Sequence, residues 1–273
     1  MHEDFYLSVK IHAKKRLGQH FLLNQRIMCE IVGYANVKNN DTILEVGAGT
    51  GNLTSIIKDK AGEVIAVEKD SRLVGLLKKK FQSVQNIHII EGDILDIGLP
   101  YFNKVVSTPP YNISSKLIFL LLDTDYEVIV LALQKDFAER LVAKPGSKDY
   151  GRLTVMVECK AKVELLGSIS KNDFYPKPKV DSAIVRIIPK KKSEDVFELE
   201  SFKEFVQILF SQRRRKLRKV IIHYLKMKSY ENVEPIIASI NTIDKRVYQL
   251  SVDEFKYLFM DITKQIKKVE KKT

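Results

Sequence analysis

The stretch Thr42-Ile-Leu-Glu-Val-Gly-Ala-Gly-Thr-Gly51 decides how the rest of the chain is read. Apolar residues on both sides of Glu45 predict a short strand buried on both faces, as in a parallel sheet. Glycines at 47, 49 and 51 end it in a tight turn, and Asn52-Leu-Thr-Ser-Ile-Ile57 opens a helix. Glycine suits that turn because it accepts positive φ and lets a ligand approach the backbone. Strand, glycine turn and helix N-terminus together form the nucleotide-binding corner of a doubly wound α/β fold. The order is acidic-x-Gly-x-Gly-x-Gly, however, and not the Gly-x-Gly-x-x-Gly of dinucleotide sites.

Working outward, Glu63-Val-Ile-Ala-Val-Glu68 reads as a second buried strand whose terminal acid lies seventeen residues past Gly51. An acid in that place accepts hydrogen bonds from ribose hydroxyls. A helix over 70–82 follows, then a third strand, Asn86–Ile94, ending in Asp93. Asp93 can accept from the exocyclic amine of an adenine, with Ile94 against its ring. Strand Asn103–Ser107 runs into Thr108-Pro-Pro-Tyr111, and Glu127–Leu133 is a fifth strand between helices over 113–122 and 134–143. Leu153–Lys160 and Ala183–Ile188 are expected to complete the sheet, the last pair antiparallel. On the N-terminal side, Asn24 is placed to cap a helix reaching Tyr34, with Ile27, Met28, Ile31 and Val32 on one face.

At 273 residues the chain can hold one large core and a smaller domain. Hydrophobic and charged fractions of 45% and 29% are those of a soluble globular protein. A net charge of +12 and a pI near 9.4 point to a polyanionic partner, since Lys and Arg release counterions from phosphates. The two cysteines, Cys29 and Cys159, lack Cys-x-x-Cys spacing, which argues against a zinc site and suits a reducing cytoplasm. His20 has neither a neighbouring carboxylate nor a second histidine at ligand spacing, so no metal is expected. The longest apolar run, Leu117–Leu122, is too short to cross a bilayer, and the N-terminus lacks an apolar signal core.

Three regions are expected. Residues 1–23 are a basic arm, 24–189 a catalytic domain, and 190–273 a helical domain reached through a linker that begins at Pro189-Lys-Lys-Lys192. In the helical domain Phe202, Phe205, Val206, Leu209 and Phe210, and then Leu217, Val220, Ile221 and Tyr224, recur at helical spacing. Between them Gln212-Arg-Arg-Arg-Lys-Leu-Arg-Lys219 is a cationic run suited to phosphates. Residues 229–262 read as two further helices, with Leu250-Ser-Val-Asp-Glu254 as a capping signal. The Lys-rich tail after 264 is expected to be disordered.

Two prolines and an aromatic at the carboxyl end of a strand make a stiff loop that presents carbonyls and a ring. Such a loop suits an amine nucleophile. The N6 lone pair of adenine is delocalised into the ring, and acceptors aimed at its hydrogens can hold it in line and stabilise the charge that develops.

The glycine turn is similar to motif I of the S-adenosylmethionine-dependent methyltransferases. More of the chain resembles the ribosomal RNA adenine dimethyltransferases that modify two adjacent adenosines near the 3′ end of the small-subunit RNA. The shared residues are collinear: Lys15-Arg-Leu-Gly-Gln-His-Phe-Leu22, Glu45–Gly51, Glu68, Gly92-Asp93, Pro110-Tyr111, Tyr150-Gly-Arg-Leu153, Phe174-Tyr-Pro-Lys-Pro-Lys-Val-Asp-Ser182 and Phe210–Arg218. Gly151-Arg-Leu followed by a long strand looks like the archaeal members.

The resemblance implies a Rossmann-like methyltransferase sheet with a smaller all-helical C-terminal domain. It implies S-adenosylmethionine bound by His20, Leu22, Gly47, Glu68, Asp93, Ile94 and Thr108. It implies catalysis by Thr108, Pro109, Tyr111 and Phe174, with the two rings sandwiching the target adenine and the Pro109 carbonyl accepting one N6 hydrogen. Lys15, Arg16, Arg213, Arg214, Arg215, Lys216 and Arg218 would contact RNA. The implied partner is small-subunit ribosomal RNA within the pre-30S particle, met by a cytoplasmic monomer with a role in assembly. The family usually has Asn-Leu-Pro-Tyr where this chain has Thr108-Pro-Pro-Tyr111, so a shorter hydroxyl replaces the amide oxygen as second acceptor. A large-subunit RNA dimethylase shares the loop and fold, but the overall pattern favours the small-subunit reading. A non-catalytic assembly factor would have no need of Glu68 and Asp93, and a DNA amino-methyltransferase would need a target-recognition region that is not visible.

Overall fold

Residues 13–190, 199–230, 233–240 and 242–270 are described by a computed structural model. In chain order its sheet unit contains β1 (Phe21–Leu22), α1 (Gln25–Tyr34), β2 (Thr42–Val46), α2 (Asn52–Ile57), β3 (Glu63–Glu68), α3 (Ser71–Lys80), β4 (Ile87–Glu91), β5 (Lys104–Ser107), α4 (Ser114–Leu122) and β6 (Val128–Gln134). After α5 (Lys135–Leu141) and α6 (Arg152–Lys160) come β7 (Ala161–Ile169), β8 (Phe174–Tyr175) and β9 (Ser182–Pro189).

Seven strands lie in the order β4-β3-β2-β5-β6-β9-β7. The first five are parallel, and β9 and β7 are antiparallel additions. The chain steps outward from β2 to β4 and then returns to the other side of β2 as β5. That reversal leaves a crevice outside the carboxyl ends of β2 and β5, where open α/β sheets bind ligands. Apolar runs made these strands: Ile43, Leu44 and Val46 in β2 and Val64–Val67 in β3 are buried, as a sheet covered on both faces requires. At the opposite end, the buried Lys104 ammonium donates to Asp41 Oδ2 at 2.7 Å and to the Asn36 carbonyl at 3.0 Å. The expected cap of α1 is present, since Asn24 accepts from the Ile27 N–H.

Several expectations need correction. Leu153–Lys160 is a helix, α6, and the strand beside β9 is Ala161–Ile169. Five consecutive buried residues, Leu153–Val157, carry no period that separates strand from buried helix. Moreover, the described arm residues 13–23 are built into the sheet unit, with Phe21 and Leu22 paired to Tyr175 and Phe174.

The second compact unit comprises Arg140–Lys160 and the described residues from Lys190 onward. It contains α7 (Leu199–Ser211), α8 (Leu217–Met227), α9 (Glu234–Ala238) and α10 (Val252–Glu270). Its core is aromatic: Phe205 meets Tyr224 edge to face at 5.0 Å, and Phe210 stacks on Phe255 at 5.3 Å. Residues 140–160 fall with these helices and not with the sheet. The Arg213 guanidinium donates to the carbonyls of Ser147, Lys148 and Tyr150, and the Tyr150 ring packs at 6.0 Å from Phe210. Ser251 and Glu254 form the expected capping box at the start of α10. That helix runs to Glu270, so 265–270 is helical where disorder was expected; no Gly or Pro interrupts it. The linker expected after Pro189 falls mainly on 191–198, outside the described residues. No helix among the described residues is long and apolar enough to cross a membrane.

Candidate active site

A cavity of about 160 Å³ opens at the carboxyl ends of β2 and β5, lined wholly by the sheet unit. Its floor is the turn after β2, anchored by N–H groups of Gly47 and Ala48 to the Val67 carbonyl at 2.8 and 3.2 Å. Gly47 and Gly49 have φ of +76° and +59°. A Cβ on Gly47 would stand 2.8 Å from Pro110 Cδ, and one on Gly49 would stand 3.0 Å from the Phe21 ring. The two glycines therefore let the Thr108–Tyr111 loop and the N-terminal segment close onto the turn. The Ser107 hydroxyl donates to the Val46 carbonyl at 2.6 Å and locks the start of that loop to β2.

Of the residues implied for cofactor and catalysis, His20, Leu22, Gly47, Glu68, Asp93, Ile94, Thr108, Pro109, Tyr111 and Phe174 all line this one cavity, and so does Arg16. Lys15 is exposed beside it in sequence. The ring pair is arranged differently from the expected sandwich. Tyr111 and Phe174 meet edge to face, with centroids 6.5 Å apart and planes at 69°, and Phe174 is a core residue only 5% exposed. Pairing with Leu22 in the β1–β8 ribbon turns Phe174 inward, since successive strand side chains point to opposite faces. The face of Tyr111 is stacked at 5.5 Å by His20, whose Nδ1 lies 2.6 Å from the Pro176 carbonyl. The Tyr111 hydroxyl is bonded to Ser182 Oγ at 2.6 Å.

Electrostatics at the strand ends are those of a site for a ligand rich in hydroxyl and amine donors. Glu68 accepts from the N–H groups of Gly49 and Asp70 at 2.9 and 2.8 Å. Burial pushes its carboxyl up, and those N–H donors pull against the rise. Glu45 is deeper still. Burial raises its carboxyl to about 8, with the Thr54 hydroxyl acting against this at 2.6 Å and the Glu68 charge adding to it. Asp93 is held below the carboxylate range by Lys69, whose ammonium sits 2.5 Å from Oδ2, while burial acts in the opposite sense. Sequence reading gave no role to Lys69 or Asp70, and none to Gln19 and Ser182 beyond their places in the shared motifs. Lys69 and Ser182 act across 24 and 71 residues, and no local pattern announces them.

Five candidates lie in the helical unit. Arg214, Arg215, Lys216 and Arg218 are exposed, with Lys216 3.7 Å from Asp244 and Arg218 3.0 Å from Glu234. Arg213 is different: its guanidinium is committed to three carbonyls and lies 5.6 Å over the Tyr248 ring, so it anchors the 147–150 loop.

A family model described as Ribosomal RNA adenine dimethylase matches residues 10–259. The chain belongs to that family. The probable ribosomal RNA small subunit methyltransferase A of Thermococcus sibiricus is 44% identical over 88% of each chain. That of Methanosarcina acetivorans is 41% identical, over 86% of this chain and 88% of its own. A crystal structure of a dimethyladenosine transferase from Plasmodium falciparum superposes with a TM-score of 0.79 at 30% identity, over 89% of this chain and 98% of that one. The 23S rRNA methyltransferase ErmE gives 0.66 at 26% identity, over 88% and 98%. Membership makes the chain an S-adenosylmethionine-dependent ribosomal RNA adenine dimethyltransferase. The cavity fits that cofactor chemically: Glu68 and Asp93 are acceptors at adjacent strand ends, Ile94 is a buried apolar neighbour, and backbone lies close at the glycine turn.

Proposed function

We propose that this dimethyltransferase acts on N6 of two adjacent adenosines near the 3′ end of small-subunit ribosomal RNA, as a cytoplasmic monomer that meets its RNA in the pre-30S particle and contributes to assembly. The observation that carries the reading is the convergence on one cavity of the glycine turn, the two strand-end acids and the Thr108-Pro-Pro-Tyr111 loop. In this reading the sheet unit carries the chemistry and the exposed cations of the helical unit take up phosphates.

Each residue has a part. Glu68 would accept from the ribose of the cofactor and Asp93 from its adenine amine, with His20, Leu22, Gly47, Ile94 and Thr108 completing the wall. S-adenosylmethionine, when bound, supplies an electrophilic methyl on a sulfonium. The Pro109 carbonyl and the Thr108 hydroxyl accept the two N6 hydrogens of the target and hold its lone pair in line. Charge developing on the amine meets fixed dipoles of a proline-stiffened loop, so no strong base is required. The target base is extruded and stacks on Tyr111, as enzymes acting on bases require. Phe174, edge-on and buried, and Ser182, bonded to the hydroxyl, hold that ring in place.

The test is a competition between unmethylated small and large ribosomal subunits for labelled methyl from S-adenosylmethionine. Transfer to the small subunit alone is expected. Preferential transfer to the large subunit, or cofactor binding with transfer to neither, would overturn the reading.

A further inference from the structure

The side chain of Asp70 lines no part of the cavity, yet its carboxylate is fully buried and bonded on every side. Lys14 Nζ donates to Oδ1 at 3.0 Å and Gln19 Nε2 to Oδ2 at 3.2 Å. The Arg72 guanidinium donates to both oxygens, at 3.1 and 2.6 Å, and the Arg72 N–H to Oδ1 at 3.3 Å. Gln19 also accepts from the Lys14 N–H at 2.7 Å, so the tethered segment is closed on itself. Three residues further on, Leu73 packs against Phe21 in a small buried cluster. The first turn of α3 thus grips the segment Lys14–Leu22 with one charge cluster and one apolar contact.

The position of this grip gives it a consequence. Residues Arg16–Leu22 are one wall of the cavity and carry the His20 ring that covers Tyr111. Meanwhile the Asp70 N–H fixes Glu68 Oε1 at 2.8 Å. One residue therefore sets both the acid at the end of β3 and the wall across from it.

We propose that Asp70 is a positioning residue that latches Lys14–Leu22 over the cavity, so that cofactor affinity depends on a group that touches no cofactor. The consequence for affinity rests on reading the cavity as the S-adenosylmethionine site; the latch itself does not. A buried carboxylate stripped of all its donors is costly, but removing Lys14 leaves Gln19 and Arg72 in place. The Lys14→Met variant is therefore the cleaner probe, with Asp70→Asn beside it and Lys14→Arg as the conservative rescue.

Two readouts are needed on folded full-length protein: trypsin cleavage after Lys15 and Arg16 without ligand, and the dissociation constant for S-adenosylhomocysteine. Lys14→Met and Asp70→Asn are expected to be cut about tenfold faster in this segment, because the local opening equilibrium governs access. Binding should weaken about fivefold to tenfold, with kcat at saturating cofactor and RNA within about twofold of the parent. Lys14→Arg should restore both. Unchanged cleavage and affinity in folded Lys14→Met protein would overturn the latch. Faster cleavage in the variants alongside a parent that binds no S-adenosylhomocysteine would uphold the latch and remove the cofactor reading of the cavity.

Discussion

Glu45 shows how a single residue reports on its surroundings. The residue sits near the carboxyl end of β2 and is 2% exposed, and its carboxyl prefers the neutral form because water is excluded. A raised pKa in the folded state means that the stabilising contribution is complete below the ordinary value of 4.5 and is lost as pH climbs to about 8. Glu45→Gln removes the titration while keeping the shape. The thermal midpoint of the parent should therefore fall relative to that variant across this window; a constant difference would show that the carboxyl does not titrate there. Thr108 is the other residue whose chemistry can be isolated. If its hydroxyl accepts from the target amine, Thr108→Val should lower methyl transfer at saturating cofactor by about tenfold to a hundredfold. Undiminished transfer would take that role from it.

Among the elements, those with a period or a cap were legible in the sequence. The β2 turn, β3 with Glu68, the Asn24 cap of α1 and the Ser251–Glu254 box of α10 all follow from short-range chemistry. The element that misread as a strand, α6, is buried through Leu153–Val157, and burial on every side erases the amphipathic signal. The edge-on setting of Phe174 against Tyr111 was not legible for a similar reason. The β1–β8 pairing that turns Phe174 into the core joins residues some 150 apart in sequence, which no local reading reaches. Arg213 looked like one more cation in a run, but its fork holds the loop before α6. Arg213→Ala should accordingly destabilise the helical unit by about 2–4 kcal/mol, since partly buried carbonyls lose charge-assisted donors. Urea unfolding would measure this, and Arg213→Lys should recover only part of it because an ammonium cannot fork. A change within about 0.5 kcal/mol, the range of ordinary surface substitutions, would return Arg213 to the phosphate-binding set.

For the whole molecule, the charge of +12 is by itself an indication of polyanion binding. Its distribution makes the claim specific. Arg214 and Arg215 are exposed in the turn that ends before α8, and each phosphate contact they make should contribute about 0.7–0.9 to the slope of log affinity against log salt. Replacing both by Gln should reduce that slope by about one to two and weaken binding evenly across sequences. An unchanged slope would place the RNA elsewhere. The sheet unit carries the opposite expectation: variants of the reactive loop should alter transfer and leave the salt slope alone.

The measurement that bears most directly on the account is nucleoside mapping of small-subunit RNA after reaction with the parent protein and with Tyr111→Ala. The parent should convert two adjacent adenosines near the 3′ end to N6,N6-dimethyladenosine, and Tyr111→Ala, while still binding cofactor, should leave both unmodified or nearly so. Methyl groups at any other base, or full dimethylation without the ring of residue 111, would contradict an extruded adenine held against that loop.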